Sequence, residues 1–204
     1  MPLDIKKQLK QLYSAPEQAP VIVEVPELEF LMIDGAGDPR SAQAYQDAVS
    51  ALYGLAYGLK FALKKRDPAA DYAVAPLEGQ WWTEDVAAFS YDDRSNWRWC
   101  MMICQPVAPP PELLAALAED VARKKGLPAA RQVRLARLHE GLAAQIMHVG
   151  PYAAEPPTIA RLHEFIGAQG YRLVGKHHEI YLGDPSRTAP EKLRTIIRQP
   201  IAPA

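Results

Sequence analysis

Apolar and polar positions change their spacing several times along this chain, and each change marks an element. Val21-Ile22-Val23-Glu24-Val25 and Leu28-Glu29-Phe30-Leu31-Met32-Ile33 are short runs rich in β-branched and large apolar residues, and predict strands. The second ends at Asp34-Gly35-Ala36-Gly37-Asp38-Pro39, which is turn chemistry. From Ser41, read as an N-cap, the period becomes helical. Tyr45, Val49, Leu52, Ala56, Leu59 and Leu63 recur on one face of a helix running to about residue 65, where Lys64-Lys65-Arg66 suits the negative end of its dipole. Asp67-Pro68 stops it, and strands are expected over 72–83, with a break at Pro76, and over 97–106.

The prolines at 106 and 109–111 mark a joint. A helix over 112–125, closed by Gly126, follows, and then the plan repeats. Residues 133–139 and 141–149 read as strands and Gly150-Pro151-Tyr152 as a turn; Thr158 caps a helix to residue 168, Gly170 ends it, and strands over 177–182 and 195–201 close the unit. The expectation is an α+β fold of duplicated strand-helix-strand-strand modules, 21–106 and 107–204, with pseudo-twofold symmetry and a ligand groove between them. Residues 1–20 form an arm, with a short helix over 4–13 broken by Ala15-Pro16-Glu17-Gln18-Ala19-Pro20. Aligning Leu77-Glu78-Gly79-Gln80-Trp81-Trp82 with His178-Glu179-Ile180-Tyr181-Leu182-Gly183 superposes Glu78 on Glu179, one carboxylate per half.

Composition narrows the function classes. With 204 residues, 49% of them hydrophobic, the chain can bury a substantial core. A formal net charge of -1 offers no basic footprint for nucleic acid, so none is expected as a partner. No run of eighteen apolar residues and no apolar segment within the first ten predicts a membrane span or a secretory signal, which makes the cytoplasm the expected compartment. Cys100 and Cys104 lie in one strand, about 13 Å apart at the usual rise, too far for a disulfide or a shared metal. The five histidines complete no ligand spacing, because adjacent His177 and His178 point to opposite faces of a strand. No metal or other cofactor is expected, nor a nucleotide loop at Gly35-Ala36-Gly37 or a nucleophile elbow.

Candidate chemistry concentrates in the glutamate strands. A carboxylate among apolar and aromatic groups has its pKa raised by desolvation, which suits a general base near neutral pH, and Glu179 is the first candidate. Beside aromatic faces the same group also binds an organic cation, so the residues alone leave catalysis and binding open. Tyr152, after its Gly-Pro turn, and Tyr181, on the Glu179 face, are candidates to stabilise a developing oxyanion. Glu78, Trp81, Trp82, Trp99, Tyr45 and Tyr53 are candidate ligand contacts; Trp82 shares the Glu78 face while Trp81 points into the core, and Trp97 and Trp99 read as core or rim.

Several motifs together resemble the GyrI-like small-molecule-binding family: Val25-Pro26-Glu27-Leu28 with Met32-Ile33-Asp34-Gly35, Pro76-Leu77-Glu78-Gly79-Gln80-Trp81-Trp82, His148-Val149-Gly150-Pro151-Tyr152, and His178-Glu179-Ile180-Tyr181-Leu182-Gly183-Asp184-Pro185 with Thr188-Ala189-Pro190-Glu191-Lys192-Leu193. The resemblance covers nearly the whole chain. It implies the duplicated module with its groove, and a planar hydrophobic or amphipathic small molecule as ligand. Stand-alone members that look like this chain hydrolyse cyclopropane-bearing genotoxins; others only bind or sequester drugs, and some regulate partner proteins. Gln80 departs from the hydrophobic residue expected there. The leading expectation is a hydrolase in which Glu179 activates water and Tyr152 or Tyr181 stabilises the oxygen, with a non-catalytic binder and a protein-partner inhibitor as alternatives.

Overall fold

The computed structural model describes residues 2–84 and 93–204. Its elements run α1 (Ile5–Gln8), β1 (Val21–Val25), β2 (Leu28–Ala36), α2 (Gln43–Arg66), β3 (Leu77–Trp82), β4 (Arg98–Cys104), α3 (Pro111–Lys124), β5 (Arg134–Leu138), β6 (Gly141–Val149), α4 (Pro156–Ala168), β7 (Tyr171–Leu173), β8 (His177–Tyr181) and β9 (Arg194–Pro203). Helices and antiparallel strands mix in an α+β fold. The order β1, β2, α2, β3, β4 recurs as β5, β6, α4, β8, β9, with β7 as an addition that the sequence pattern did not show. Three residues are too few to display a period.

The contacts define two compact units. The first comprises Leu28–Ala75, Trp81–Leu138 and an N-terminal segment ending at Ile5. In it β2 pairs with β4 on one side, Met32 opposite Met102, and with β5 on the other, Leu31 opposite Leu135. Helix α2 packs on these strands through Ala48, Ala51, Leu52, Leu55, Ala56, Leu59 and Leu63, all buried. Full burial of each leucine contributes about 1.5–3 kcal/mol. Small residues on another face let α3 approach: a Cβ on Gly54 would stand 3.2 Å from Val121, and one on Gly58 3.4 Å from Leu117. Ser41 is not the N-cap. The Asp38 carbonyl accepts from the amides of both Ser41 and Ala42, so the turn extends one residue further and Ala42 takes the cap position without a side-chain bond.

Trp99 fills the space beside Gly35. A Cβ at Gly35 would lie 2.0 Å from the Trp99 ring, and Trp99 is 1% exposed, so the ring has nowhere to move. Gly35→Ala should therefore destabilise the protein by about 1–3 kcal/mol through overpacking. The check is a lowered urea midpoint at unchanged slope. Cys100 and Cys104 are free and buried in β4. Strand β3 begins only at Leu77, five residues later than the pattern suggested, because Leu3 forms a bridge with Tyr72 and its amide bonds to the Asp71 carbonyl.

The second unit comprises Lys6–Glu27, Pro76–Gln80 and His139–Ala204. Its strands follow the order β1, β6, β9, β8, with β3 beside β8. The ladders are antiparallel: Val23 faces Ala143, Ile146 faces Ile197, and Ile197 also faces Glu179. Helix α4 packs on β6, with Ile159, Leu162 and Ile166 buried. It starts at Pro156, so Thr158 lies within its first turn rather than capping it. The opening strand of each repeat completes the other unit: β1 pairs with β6, and β5 with β2. Only Ile5–Gln8 of the arm is helical. The rest is tied down by its backbone, the Pro16 carbonyl accepting from Met147 and the Gln18 carbonyl from Arg161. No helix among the described residues is long and apolar enough to cross a membrane.

Candidate functional site

Alternation along β8 divides its side chains between two faces, each with its own chemistry. His177, Glu179 and Tyr181 share one; His178 and Ile180, both fully buried, share the other. On the first face the Tyr181 hydroxyl donates to Glu179 Oε2 at 2.7 Å, and His177 Nε2 lies 3.1 Å from Glu179 Oε1. The Glu179 side chain is 12% exposed, so its carboxylate is mostly withdrawn from water yet held from both ends. Both carboxylate oxygens thus accept a hydrogen bond, which orients the group.

Tyr152 joins this group through the turn after β6. Gly150, at φ 137°, takes a conformation that side chains disfavour, and its amide bonds to the Leu193 carbonyl. His148 braces the turn: Nε2 donates to the Pro151 carbonyl at 3.3 Å, and Nδ1 lies 3.0 Å from Thr158 Oγ1. The Tyr152 ring consequently stands edge-to-face on Tyr181, centroids 5.6 Å apart at 79°. The three residues expected to carry catalysis, Glu179, Tyr181 and Tyr152, are thus brought together. His177 is the member that sequence reasoning passed over. Its spacing of two from Glu179 puts both on one face of the strand.

The opposite face of β8 carries a closed charge network. His178 Nδ1 lies 2.9 Å from Glu140 Oε1, and its Nε2 lies 3.1 Å from Glu78 Oε2, an ion-pair distance without hydrogen-bond alignment. Tyr13 donates to Glu78 Oε1 at 2.9 Å. Arg198 reaches Glu140 Oε2 at 3.2 Å, Gln145 Oε1 at 3.0 Å and the Leu12 carbonyl at 2.6 Å, while Gln145 donates to the Gln11 carbonyl at 2.8 Å. Burial alone would lower the His178 pKa, but the carboxylates of Glu140 and Glu78 prevail and hold it up at about 9. Burial would likewise raise Glu140, and the His178 and Arg198 charges bring it down to about 2.

Glu78 therefore does not share a site with Glu179. The alignment of the two glutamate strands made them equivalents, but Glu78 meets the His178 face of β8, is 1% exposed, and anchors the arm through Tyr13. Nothing in the local pattern points to Glu140, Arg198, Gln145 or Tyr13 as its company, because they come from three segments distant from β3 in sequence.

The remaining ligand candidates lie in the first unit. Trp81, 5% exposed, packs against Tyr45 and Trp97 with centroids 6.0 and 5.6 Å away, and Tyr45 also meets Trp99 edge-on at 5.5 Å. These rings form an aromatic core. Trp82 is half-buried and lines an open surface depression with Asp34, Gly35, Ala36, Glu84 and Arg98. Tyr53 is elsewhere on α2, 36% exposed and stacked on Tyr57, which stacks in turn on Phe61. Among the described residues no group of three His, Cys, Asp or Glu is arranged to hold a metal ion.

Comparison with known proteins agrees with this architecture. The profile of the GyrI-like small molecule binding domain matches residues 18–202. A conserved, uncharacterized protein from Listeria innocua is 41% identical, with a TM-score of 0.89 over 98% of this chain and 100% of its own. Two Listeria innocua structures described as hydrolases are 39% and 38% identical, with TM-scores of 0.86 and 0.83, covering 99% and 98% of this chain and 100% of theirs. No functionally curated protein matches. A profile spanning almost the whole chain, joined to an α+β fold shared with a relative 41% identical over its full length, makes this protein a member of the GyrI-like small-molecule-binding domain family.

Proposed function

We propose that this protein binds planar hydrophobic or amphipathic small molecules and hydrolyses those bearing an electrophilic cyclopropane, with Glu179 as general base. The observation that carries the proposal is the Glu179 carboxylate, largely withdrawn from water and held on one oxygen by Tyr181 and on the other by His177. Such anchoring orients the carboxylate, and general base catalysis requires an oriented base. The hydrolase descriptions of relatives at 38% and 39% identity over the full chain support the same reading.

In the proposed step Glu179 takes a proton from water as the water oxygen attacks the ring methylene. The strained carbon–carbon bond breaks, and its electron pair passes through the conjugated system to a carbonyl oxygen, which becomes an oxyanion. Tyr181, which donates to Glu179, and Tyr152, whose ring adjoins it, are the phenols assigned to stabilise that oxyanion. The oxyanion gains a proton, Glu179 loses the one it took, and the sum is addition of one water across the opened ring. Removal of a reactive electrophile inside the cell is the role this chemistry serves.

The test is direct. The purified protein is incubated with a cyclopropane-bearing planar electrophile in ¹⁸O-labelled water, and the product is followed by mass spectrometry. One labelled oxygen on the former ring methylene, at a rate above the protein-free control, is the expected result. Tight binding with no product would instead make the protein a sequestering module.

A further inference from the structure

Thr195 of β9 lies beside this site and takes no part in the proposed step. Across the sheet it faces His148 of β6 and Tyr181 of β8. Directly opposed residues of an antiparallel sheet share a face, so its side chain stands on the side of Tyr181, Glu179 and His177. The Leu182 amide bonds to the Arg194 carbonyl, which makes Tyr181 and Thr195 a pair that is not hydrogen-bonded through its own backbone groups. Side chains stand closest in such pairs.

Thr195 is 0% exposed, and its Oγ1 has no hydrogen-bond partner among the described residues. A buried hydroxyl able to donate and accept, and doing neither, costs the free energy of its lost hydration. Its neighbours show that the site can satisfy polar atoms: the Tyr181 hydroxyl donates to Glu179, and both ring nitrogens of His148 have partners. Nor does the fold require a hydroxyl here. Thr195 is followed by Ile196 and Ile197, both fully buried, and valine would offer the same branched shape.

We infer that Thr195 is a ligand contact, its hydroxyl donating to the carbonyl oxygen of a bound planar molecule beside the two tyrosines. The inference rests on this face of β8 being the ligand site, and it narrows the ligand class to molecules with an acceptor oxygen conjugated to the reacting ring. Because Oγ1 loses its hydration when the chain folds, only the ligand carbonyl is desolvated on binding, and the new bond counts nearly in full. Reaching Oγ1 takes movement of a ring. Tyr181 is held in a strand with its hydroxyl on Glu179, whereas Tyr152 stands on a short turn among exposed Pro151, Ala153 and Ala154, so Tyr152 is the ring that turns aside.

The test uses fluorenone and fluorene, planar molecules of one shape that differ by a carbonyl, and measures binding by equilibrium dialysis without any turnover. Wild type should favour the ketone about tenfold. Thr195→Val should lose that preference by weakening the ketone alone, and should unfold at higher urea because an unpaired buried hydroxyl is gone. Thr195→Ser keeps the hydroxyl, so whatever affinity goes with the methyl should be lost equally for both probes. Equal binding of the two probes by wild type, or unchanged ketone affinity in Thr195→Val, overturns the inference. So does an equal loss for both probes in Thr195→Val, which would mean shape alone, or a lower urea midpoint, which would place the hydroxyl in the fold. Wild type that binds neither probe overturns the inference together with the small-molecule reading of this face. Absence of cyclopropane turnover, with the ketone preference present and lost in Thr195→Val, removes the hydrolase reading and leaves the contact standing.

Discussion

Glu179→Gln should reduce turnover of a cyclopropane-bearing electrophile by about 10²–10⁴, the usual worth of a general base, while binding of a neutral planar ligand persists. The substitution nearly conserves shape. The amide oxygen can still accept from Tyr181 or His177, so the anchoring seen in the structure survives in part. What is lost is a group able to take a proton. The effect should therefore fall on kcat, with ligand affinity from calorimetry little changed, because the base acts in the transition state. A protein that only binds gives another pattern: no wild-type turnover, and weakening of organic cations by about 1–3 kcal/mol as a charged contact disappears. Wild-type turnover in the variant would remove Glu179 as the base. Glu78 would not inherit the role readily, being 1% exposed and committed to Tyr13 and His178.

Glu140→Gln should be the most damaging of the conservative changes to stability, costing about 3–5 kcal/mol, the usual result of breaking a buried ionic network from one side. The Glu140 carboxylate touches both His178 and Arg198, whose side chains are 0% and 3% exposed, and its removal leaves His178 with the Glu78 carboxylate and Arg198 with the neutral acceptors of Gln145 and Leu12. Linkage fixes the pH dependence. His178 is raised from 6.5 to about 9, so its contribution is complete below about pH 6.5 and disappears as pH rises through 9. Glu140 is lowered from 4.5 to about 2, so its contribution is complete above about pH 4.5 and disappears as pH falls through 2. These two shifts describe one pair from its two sides and are not summed. Thermal unfolding of the wild type should thus show a stability maximum between about pH 4.5 and 6.5, with losses on both flanks. Glu140→Gln should lower that maximum and flatten the acid flank. An unchanged curve would mean that the network is not formed.

The network also explains why the arm before β1 belongs to the fold although the family match begins only at residue 18. Arg198 and Gln145 donate to the carbonyls of Leu12 and Gln11, and Tyr13 donates to Glu78. Buried donors need acceptors, and the arm's backbone supplies them.

Local information was enough for much of this protein. Residues 21–25 and 141–149 coincide with β1 and β6, and the helices over 112–125 and to 168 differ from α3 and α4 by a residue or two at their starts or ends. Periodicity, prolines and glycines act within a few residues, so these elements and their repeated order could be read directly. The Glu179 and Tyr181 face was legible for the same reason, since alternation along one strand is a local property. His177 belonged to that face and could have been added on the same ground.

Tertiary structure alone decided the rest. Which strand β1 pairs with, and that β5 completes the unit of β2, depends on contacts across more than a hundred residues. The two glutamate strands look alike as text, yet one glutamate faces a half-open group of tyrosines and the other a sealed charge network. Their difference arises from what β3 and β8 meet, not from what they contain. Gly35 read as a turn residue, but its constraint is the Trp99 ring lying where a side chain would be. Burial, pKa and partnership are properties of neighbours brought together by the whole chain, and a one-dimensional pattern carries only those neighbours that lie within a turn or a strand of each other.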